Sequence, residues 1–250
     1  MTIIKTILTF AAFFSFVQGQ AQEEGVIFLS EGKIEFEKKV NVYALMGKED
    51  NSWNELQKKT MSQFKTSYFD LLFTPHKTLY KPGREVVDNS SMFMSSPAEK
   101  NIVYGDLDRS ESISQKDIFD QLFLVQDTMR KIRWKITDET REIAGFTCRR
   151  ANAIILDSIY VVAFFTDEIL TSGGPESFHG LPGMILGVAM PHQHVTWFAT
   201  KVQAVHVPEA QMIPPQKGKK TDNAGLKQAL QKSLGSWGQW GERYIQASLL

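Results

Sequence analysis

The residues best suited to bind a metal ion are three histidines in the second half of the chain. His192 and His194 are two residues apart, so on a β-strand both side chains would project from one face. Imidazole is a good ligand for Zn or Cu, and His179 could supply a third ligand if the chain folds back. Pro191 beside His192 instead favours a turn, in which the histidines are merely polar. A Zn or Cu site is therefore one alternative, and a metal-free turn is the other.

Cys148 is the only cysteine of the chain, so no intramolecular disulfide can form. A thiol becomes a nucleophile or a metal ligand when it is ionised and accessible. Cys148, however, lies in an apolar stretch with strand character, at residues 143–148. We expect a buried thiol that packs as a small apolar side chain.

Catalytic motifs are not evident. No serine lies in a Gly-x-Ser-x-Gly elbow, and no phosphate-binding glycine loop occurs. Asp167 and Glu168 are adjacent, so on a strand they would point to opposite faces and could not act as an acid/base pair. The chain is therefore predicted not to be an enzyme, with a hydrolase of unknown type as the alternative, and no cofactor is predicted.

The strongest local signal is a turn. Residues 178–187 read Phe-His-Gly-Leu-Pro-Gly-Met-Ile-Leu-Gly. In Leu181-Pro182-Gly183-Met184 the proline fixes φ, and the glycine tolerates the positive φ that the third position of a type II turn needs. We predict a rigid structural turn that leads into a buried strand, formed by Gly180, Leu181, Pro182, Gly183, Met184 and Ile185.

Secondary structure must position the residues described above. Most of the chain has strand character. Apolar and charged residues alternate, as in Gly-Lys-Ile-Glu-Phe-Glu at 32–37, which is typical of strands with one buried face. Because strand follows strand with only short turns, the pattern favours antiparallel neighbours. We predict a mainly β (α+β) fold, in which an antiparallel β-meander over residues 22–206 forms a curved sheet or half-barrel. A short helix is expected after the first strand, at residues 53–64.

The C-terminal part differs in composition. Residues 207–222 are rich in proline and lysine and are predicted to be a linker. Residues 223–250 carry apolar residues at helical spacing, including Leu226, Leu230, Trp237 and Trp240. We expect helices that pack on the sheet of the same domain.

The N-terminus is typical of export. Lys5 is followed by an apolar run and by small residues at Gly19 and Ala21, so residues 1–21 are predicted to be a signal peptide. No later stretch is apolar and long enough to cross a membrane. We expect an exported protein, periplasmic or secreted. The 28 basic and 28 acidic side chains balance, which gives no support to nucleic-acid binding.

The turn and its neighbours resemble the GLPGLI family of exported proteins from Gram-negative bacteria. The namesake string stands here as Gly-Leu-Pro-Gly-Met-Ile at 180–185, and further similarity lies at residues 131–135, 143–151, 165–169 and 173–175. The resemblance implies a β-rich exported protein of uncharacterised function, without known catalytic residues.

A binding role is the preferred hypothesis. The chain contains 17 Phe, 5 Trp and 9 Met, and ligand pockets are mostly apolar. The partner would be an apolar ligand, a peptide or an outer-membrane-associated protein. A carrier would show a deep apolar cavity lined by strands, whereas a docking module would show exposed Trp237 and Trp240 or an open sheet edge.

Overall fold

The computed structural model describes residues 28–46, 58–59, 61–86 and 98–250. The predicted signal peptide, residues 1–21, lies outside the described residues. So does most of the helix predicted over residues 53–64; of its described residues, 58–59 are helical and Phe64 already belongs to a strand.

Twelve strands occur within the described ranges. They are β1 (Gly32–Asn41), β2 (Phe64–Phe73), β3 (Lys77–Pro82), β4 (Ile102–Asp106), β5 (Glu111–Ile118), β6 (Gln121–Thr128), β7 (Lys135–Ile143), β8 (Phe146–Ile155), β9 (Ile159–Thr166), β10 (Met184–Met190), β11 (Val195–Gln203) and β12 (Lys219–Thr221).

Three α-helices accompany the strands in the described ranges. A single turn, α1 (Val42–Leu45), directly follows β1, and α2 (Asn223–Leu234) and α3 (Gly238–Ser248) form the C-terminal part. Short 3-10 turns lie at Pro191–Gln193, Glu209–Gln211 and Gly235–Trp237.

All twelve strands form one sheet, in the order β12-β6-β5-β4-β3-β2-β1-β11-β10-β9-β8-β7. The described strands do not close into a barrel, and the predicted mainly β fold with C-terminal helices is confirmed. The sheet is mixed rather than purely antiparallel, because β12 pairs with β6 in parallel. β12 lies within the predicted linker, residues 207–222, so part of that segment extends the sheet.

The middle of the sheet joins distant parts of the sequence. β1 pairs with β2 on one side and with β11 on the other, where Lys38 faces Trp197. The alternation predicted for β1 is visible in its burial, since Ile34 and Phe36 are fully buried and their neighbours are only partly covered. The main core therefore lies where these side chains meet Phe69 and Trp197. A smaller buried cluster around Leu72, Leu79 and Leu124 covers part of the opposite face of the sheet.

Of the C-terminal helices, α2 packs directly on the sheet. Its N-terminus is capped by Asp222, whose carboxylate accepts a hydrogen bond from the Gly225 N–H at 2.7 Å. The buried stripe of α2, Leu226, Leu230 and Leu234, packs on β6 around Phe123. No helix in the described ranges is long and apolar enough to cross a membrane.

Candidate functional site

The three histidines predicted as metal ligands do not lie together. His192 is in the 3-10 turn after β10, and His194 ends that turn with a φ of 55°, so neither is on a strand and the shared-face argument does not apply. His179 precedes the other end of β10. Among the residues the structure describes, no group of three or more His, Cys, Asp or Glu side chains could hold a metal ion.

Cys148 lies on β8, and its side chain is fully buried in the main core. Burial, with smaller contributions from Glu168 and Glu142, raises the pKa of the thiol to about 12. The thiolate needed for nucleophilic or metal chemistry is therefore strongly disfavoured.

The turn at residues 180–185 differs in detail from a type II turn. The Gly183 N–H donates to the Leu181 carbonyl at 2.8 Å, which closes a three-residue turn around Pro182. The next N–H, that of Met184, donates to the Ile169 carbonyl instead. Gly180 and Gly183 both have positive φ, 90° and 133°, and Leu181, Met184 and Ile185 are buried.

An apolar cavity of about 340 Å³ lies between the middle of the sheet and α3. This volume lies in the range of small-molecule pockets, roughly 300–1,000 Å³. Strands β1, β10 and β11 line one side with Val40, Met190 and Trp197, and α3 lines the other with Tyr244 and Ala247. We call it the apolar pocket.

Four polar side chains also line the apolar pocket, Lys38, Lys65, Gln193 and Arg243, and Lys38 is the most deeply buried of them. Lys38 is 4% exposed, and its ammonium lies 5.3 Å from the ring centroid of Trp197 and 5.8 Å from that of Phe69. Its Nζ also donates to the Ala98 carbonyl at 3.4 Å. Burial lowers the pKa of Lys38, and the charges of Glu176 and Glu99 oppose that shift. The pocket thus combines apolar walls with a cationic group held over aromatic rings.

Aromatic side chains of α3, of the 3-10 turn before it and of the β5–β6 turn form the rim. Trp240 lines the apolar pocket and is 50% exposed, and its ring lies 5.3 Å from Trp237 and 5.4 Å from Tyr244. Phe119, also half-exposed, stacks on Tyr244 at 4.6 Å. These four residues, Phe119, Trp237, Trp240 and Tyr244, are the aromatic rim. All of them except the buried Tyr244 expose apolar surface to solvent beside the pocket.

Two cations from the sheet side fix the end of α3. Lys116 Nζ donates to the Ser248 carbonyl at 2.9 Å, and Arg130 Nη2 donates to the Leu249 carbonyl at 2.7 Å. The last carbonyls of a helix have no intrahelical partner and form its negative end, so both contacts are favourable. Burial lowers the pKa of Lys116 to about 8. The wall that closes the apolar pocket is therefore anchored at its C-terminal end.

A second cavity, of about 900 Å³, lies beside α2 and is the more polar of the two, although Leu107, Met129, Leu156 and Leu249 also line it. Arg130, Lys131, His179, Lys227 and Asp127 line it. The carboxylate of Asp127 already accepts hydrogen bonds from the main-chain and side-chain N–H groups of Asn223, at 3.0 and 2.9 Å. We call it the polar cleft.

Sequence reasoning missed Lys38 and Lys116, although the sequence contains a signal for each. Lys38 follows Ile34 and Phe36 at two-residue spacing and precedes Val40, so it lies on the buried face of β1. Lys116 occupies the corresponding place on β5, between Ser114 and Ile118. A charged residue in step with the apolar face of a strand therefore indicates a buried cation.

Comparison with known proteins supports the fold and leaves the function open. A family model described as "Protein of unknown function (Porph_ging)" matches residues 155–187, which include the loop before β10 and the turn. No curated protein matches by sequence.

Solved structures are similar in fold. Two structures of PNGF-II, in the P21 and C2 space groups, match with TM-scores of 0.54 and 0.53 at 13% identity, over 82% of this chain. The chain spans about a third of their length, 34% and 33%. An uncharacterised conserved protein from Thermus thermophilus matches with a TM-score of 0.39 at 6% identity, over 76% of this chain and 90% of that one.

Proposed function

We propose that this chain is an exported protein of the GLPGLI type that binds an apolar ligand in the apolar pocket. The observation that carries the proposal is the pocket itself, about 340 Å³ between β1, β10, β11 and α3. Apolar walls with one or two fixed polar groups are typical of binding sites for small molecules. Binding would bury the apolar surface of the ligand, at roughly 25 cal/mol per Å² removed from water.

The location of the pocket suits a carrier. Its sheet wall is rigid, because the strands that form it lie in the middle of the sheet. Its other wall is the single helix α3, which follows the glycine-flanked turn Gly235–Trp237. A ligand could therefore enter past Trp240 without disturbing the sheet.

The experiment is a titration with N-phenyl-1-naphthylamine, a neutral apolar dye that fluoresces when it leaves water. We expect saturable binding with one site per chain. Ala247→Phe fills the apolar pocket from α3 and should weaken binding at least tenfold. Ala224→Phe is the matched control, because Ala224 lies on α2 and lines the polar cleft instead.

The test compares dye binding by Ala247→Phe and Ala224→Phe with that of the parent chain. Equal binding by both variants and the parent chain contradicts the proposal. If Ala247→Phe fails to fold, Val40→Phe narrows the same pocket from β1 and takes its place.

The competing role is the docking of a partner protein at an outer-membrane assembly. The half-exposure of Trp237 and Trp240 favours it, because exposed apolar patches often mark interaction sites. Trp237→Ser tests the aromatic rim separately from the pocket, since Trp237 does not line the apolar pocket. The carrier role predicts unchanged dye binding by this variant. Loss of dye binding by this variant would contradict the carrier role.

The export part of the proposal has its own test. Residues 1–21 fused to a reporter should direct it out of the cytoplasm, with cleavage detected by mass spectrometry. A reporter that stays uncleaved in the cytoplasm contradicts export without affecting the binding proposal.

A further inference from the structure

A small cavity adjoins the polar cleft, and Arg130 and His179 line both. Its volume is about 20 Å³, and a cavity of about 10–15 Å³ on this measure already holds a water molecule. Arg130, Glu176, Ser177 and His179 line it. Each contributes a buried polar atom that has no hydrogen-bond partner among the described protein groups: Nη1, Oε1, Oγ and Nε2, respectively.

The same side chains are held in place by their other atoms. The Oε2 atom of Glu176 accepts a hydrogen bond from Asn101 Nδ2 at 3.0 Å, and Nη2 of Arg130 is bound to the Leu249 carbonyl. Burial lowers the pKa of His179, against a smaller opposite effect of its contact with the Arg130 main chain. The imidazole is therefore neutral at pH 7, and with its proton on Nδ1 it offers Nε2 as an acceptor.

The charges around the cavity select the kind of occupant. Glu176 is 4% exposed and would repel an anion. The guanidinium of Arg130 lies in the wall, and the ammonium groups of Lys38 and Lys116 are near enough to feel the charge of Glu176, so a cation is opposed as well. A neutral molecule with two donors and two acceptors remains.

We propose that this cavity binds one ordered water molecule, which accepts hydrogen bonds from Arg130 Nη1 and Ser177 Oγ and donates to Glu176 Oε1 and His179 Nε2. A water molecule has two donor and two acceptor sites, which match the two acceptors and two donors in the cavity wall. Each of these atoms would otherwise be buried at a cost in stability. Three of the four residues belong to the segment 173–179, which lies within the matched family region. Glu176 there has a φ of 50°, a conformation that a non-glycine residue keeps only when its surroundings fix it.

The water joins this segment to Arg130, and Arg130 in turn holds the end of α3. The segment and the wall of the apolar pocket are thus connected through two consecutive hydrogen-bonded steps. This inference does not depend on what the apolar pocket binds, since its residues are separate from the pocket lining.

The test is a crystal structure at about 1.5 Å resolution, from crystals soaked separately in NaBr and RbCl. We expect one density peak in the cavity, 2.6–3.2 Å from the four atoms, with no anomalous signal from either salt. An empty cavity, or an anomalous peak from bromide or rubidium there, overturns the proposal.

A double-mutant cycle tests the same water in solution. Ser177→Ala removes a hydrogen-bond donor, and His179→Leu removes an acceptor. The two atoms concerned, Ser177 Oγ and His179 Nε2, form no direct hydrogen bond with each other. Coupling through the water predicts a departure from additivity of at least about twofold in the folding equilibrium constant. The control cycle pairs His179→Leu with Ser158→Ala, which is exposed and distant from the cavity lining. Additive effects in both cycles contradict a shared water.

Discussion

Gly183 lies directly against the main chain of Thr166. A Cβ atom built on Gly183 would lie 2.1 Å from the Thr166 carbonyl oxygen, far inside van der Waals contact. The φ of Gly183 is also positive, at 133°. Two independent reasons, close approach and backbone conformation, therefore require glycine at this position of the turn.

Gly183→Ala should destabilise the protein by more than about 3 kcal/mol, because backbone strain and overpacking add. Gly180→Ala is the matched control: its φ is 90°, but a Cβ there would find its nearest neighbour at 3.8 Å. It should cost only about 1–2 kcal/mol. Urea unfolding measures both, and equal losses would disprove the role of the Thr166 contact.

Cys148 should not react with a bulky thiol reagent in the folded protein. Its side chain is fully buried and its thiol pKa is raised to about 12, so both access and thiolate formation are hindered. Ellman's reagent should label one thiol per chain in 6 M guanidinium chloride. Labelling at a similar rate in native buffer would show that β8 does not bury this side chain.

Leu226→Ala tests the docking of α2. Leu226 is fully buried against the sheet, and removing such a side chain costs about 2–5 kcal/mol. Gln228→Ala on the exposed side of the same helix should change stability by less than about 0.5 kcal/mol. Thermal unfolding that shows the same shift for both variants would mean that α2 is not packed on β6.

His179 should make stability fall at acidic pH. Burial lowers its pKa in the folded state, so below the unfolded pKa of about 6.5 the unfolded chain binds more protons. The free energy of unfolding therefore decreases as the pH falls from about 7 through 6.5 towards the folded pKa. His179→Gln removes this titration while keeping a polar side chain. The difference in unfolding free energy between the parent chain and the variant should depend on pH in this window, and a constant difference from pH 7.5 to 5 would contradict the burial of a neutral His179.

The turns of the hairpins show which turn positions the local sequence predicts correctly and which it does not. The polar pair Asp157-Ser158 has the composition of a turn, and the β8–β9 turn lies there, with positive φ at Leu156 and Asp157. The polar residues 137–140 have the composition of a turn as well, but they lie within β7. The β7–β8 turn lies instead at Ala144-Gly145, with φ of 51° and 84°. A two-residue turn with positive φ at both positions matches the twist of the strands, and this geometry overrides the polar composition of residues 137–140.

The site depends on contacts that local patterns do not encode. The apolar pocket exists because β1 pairs with β11, more than 150 residues later, and because α3 returns to cover them. The aromatic stripe with Trp237 and Trp240 predicted a helix correctly, but not the half-exposure of both rings. Spacing identifies which side chains share a face, whereas tertiary packing decides what that face meets.

Crystallography with a brominated ligand tests the central claim most directly. Crystals of the protein soaked with 12-bromododecan-1-ol should show an anomalous bromine peak inside the apolar pocket, between Trp197 of β11 and Ala247 of α3. Ala247→Phe crystals soaked in the same way should lack that peak. A bromine peak only in the polar cleft, or none within the parent protein, would contradict the assignment of the apolar pocket as the binding site.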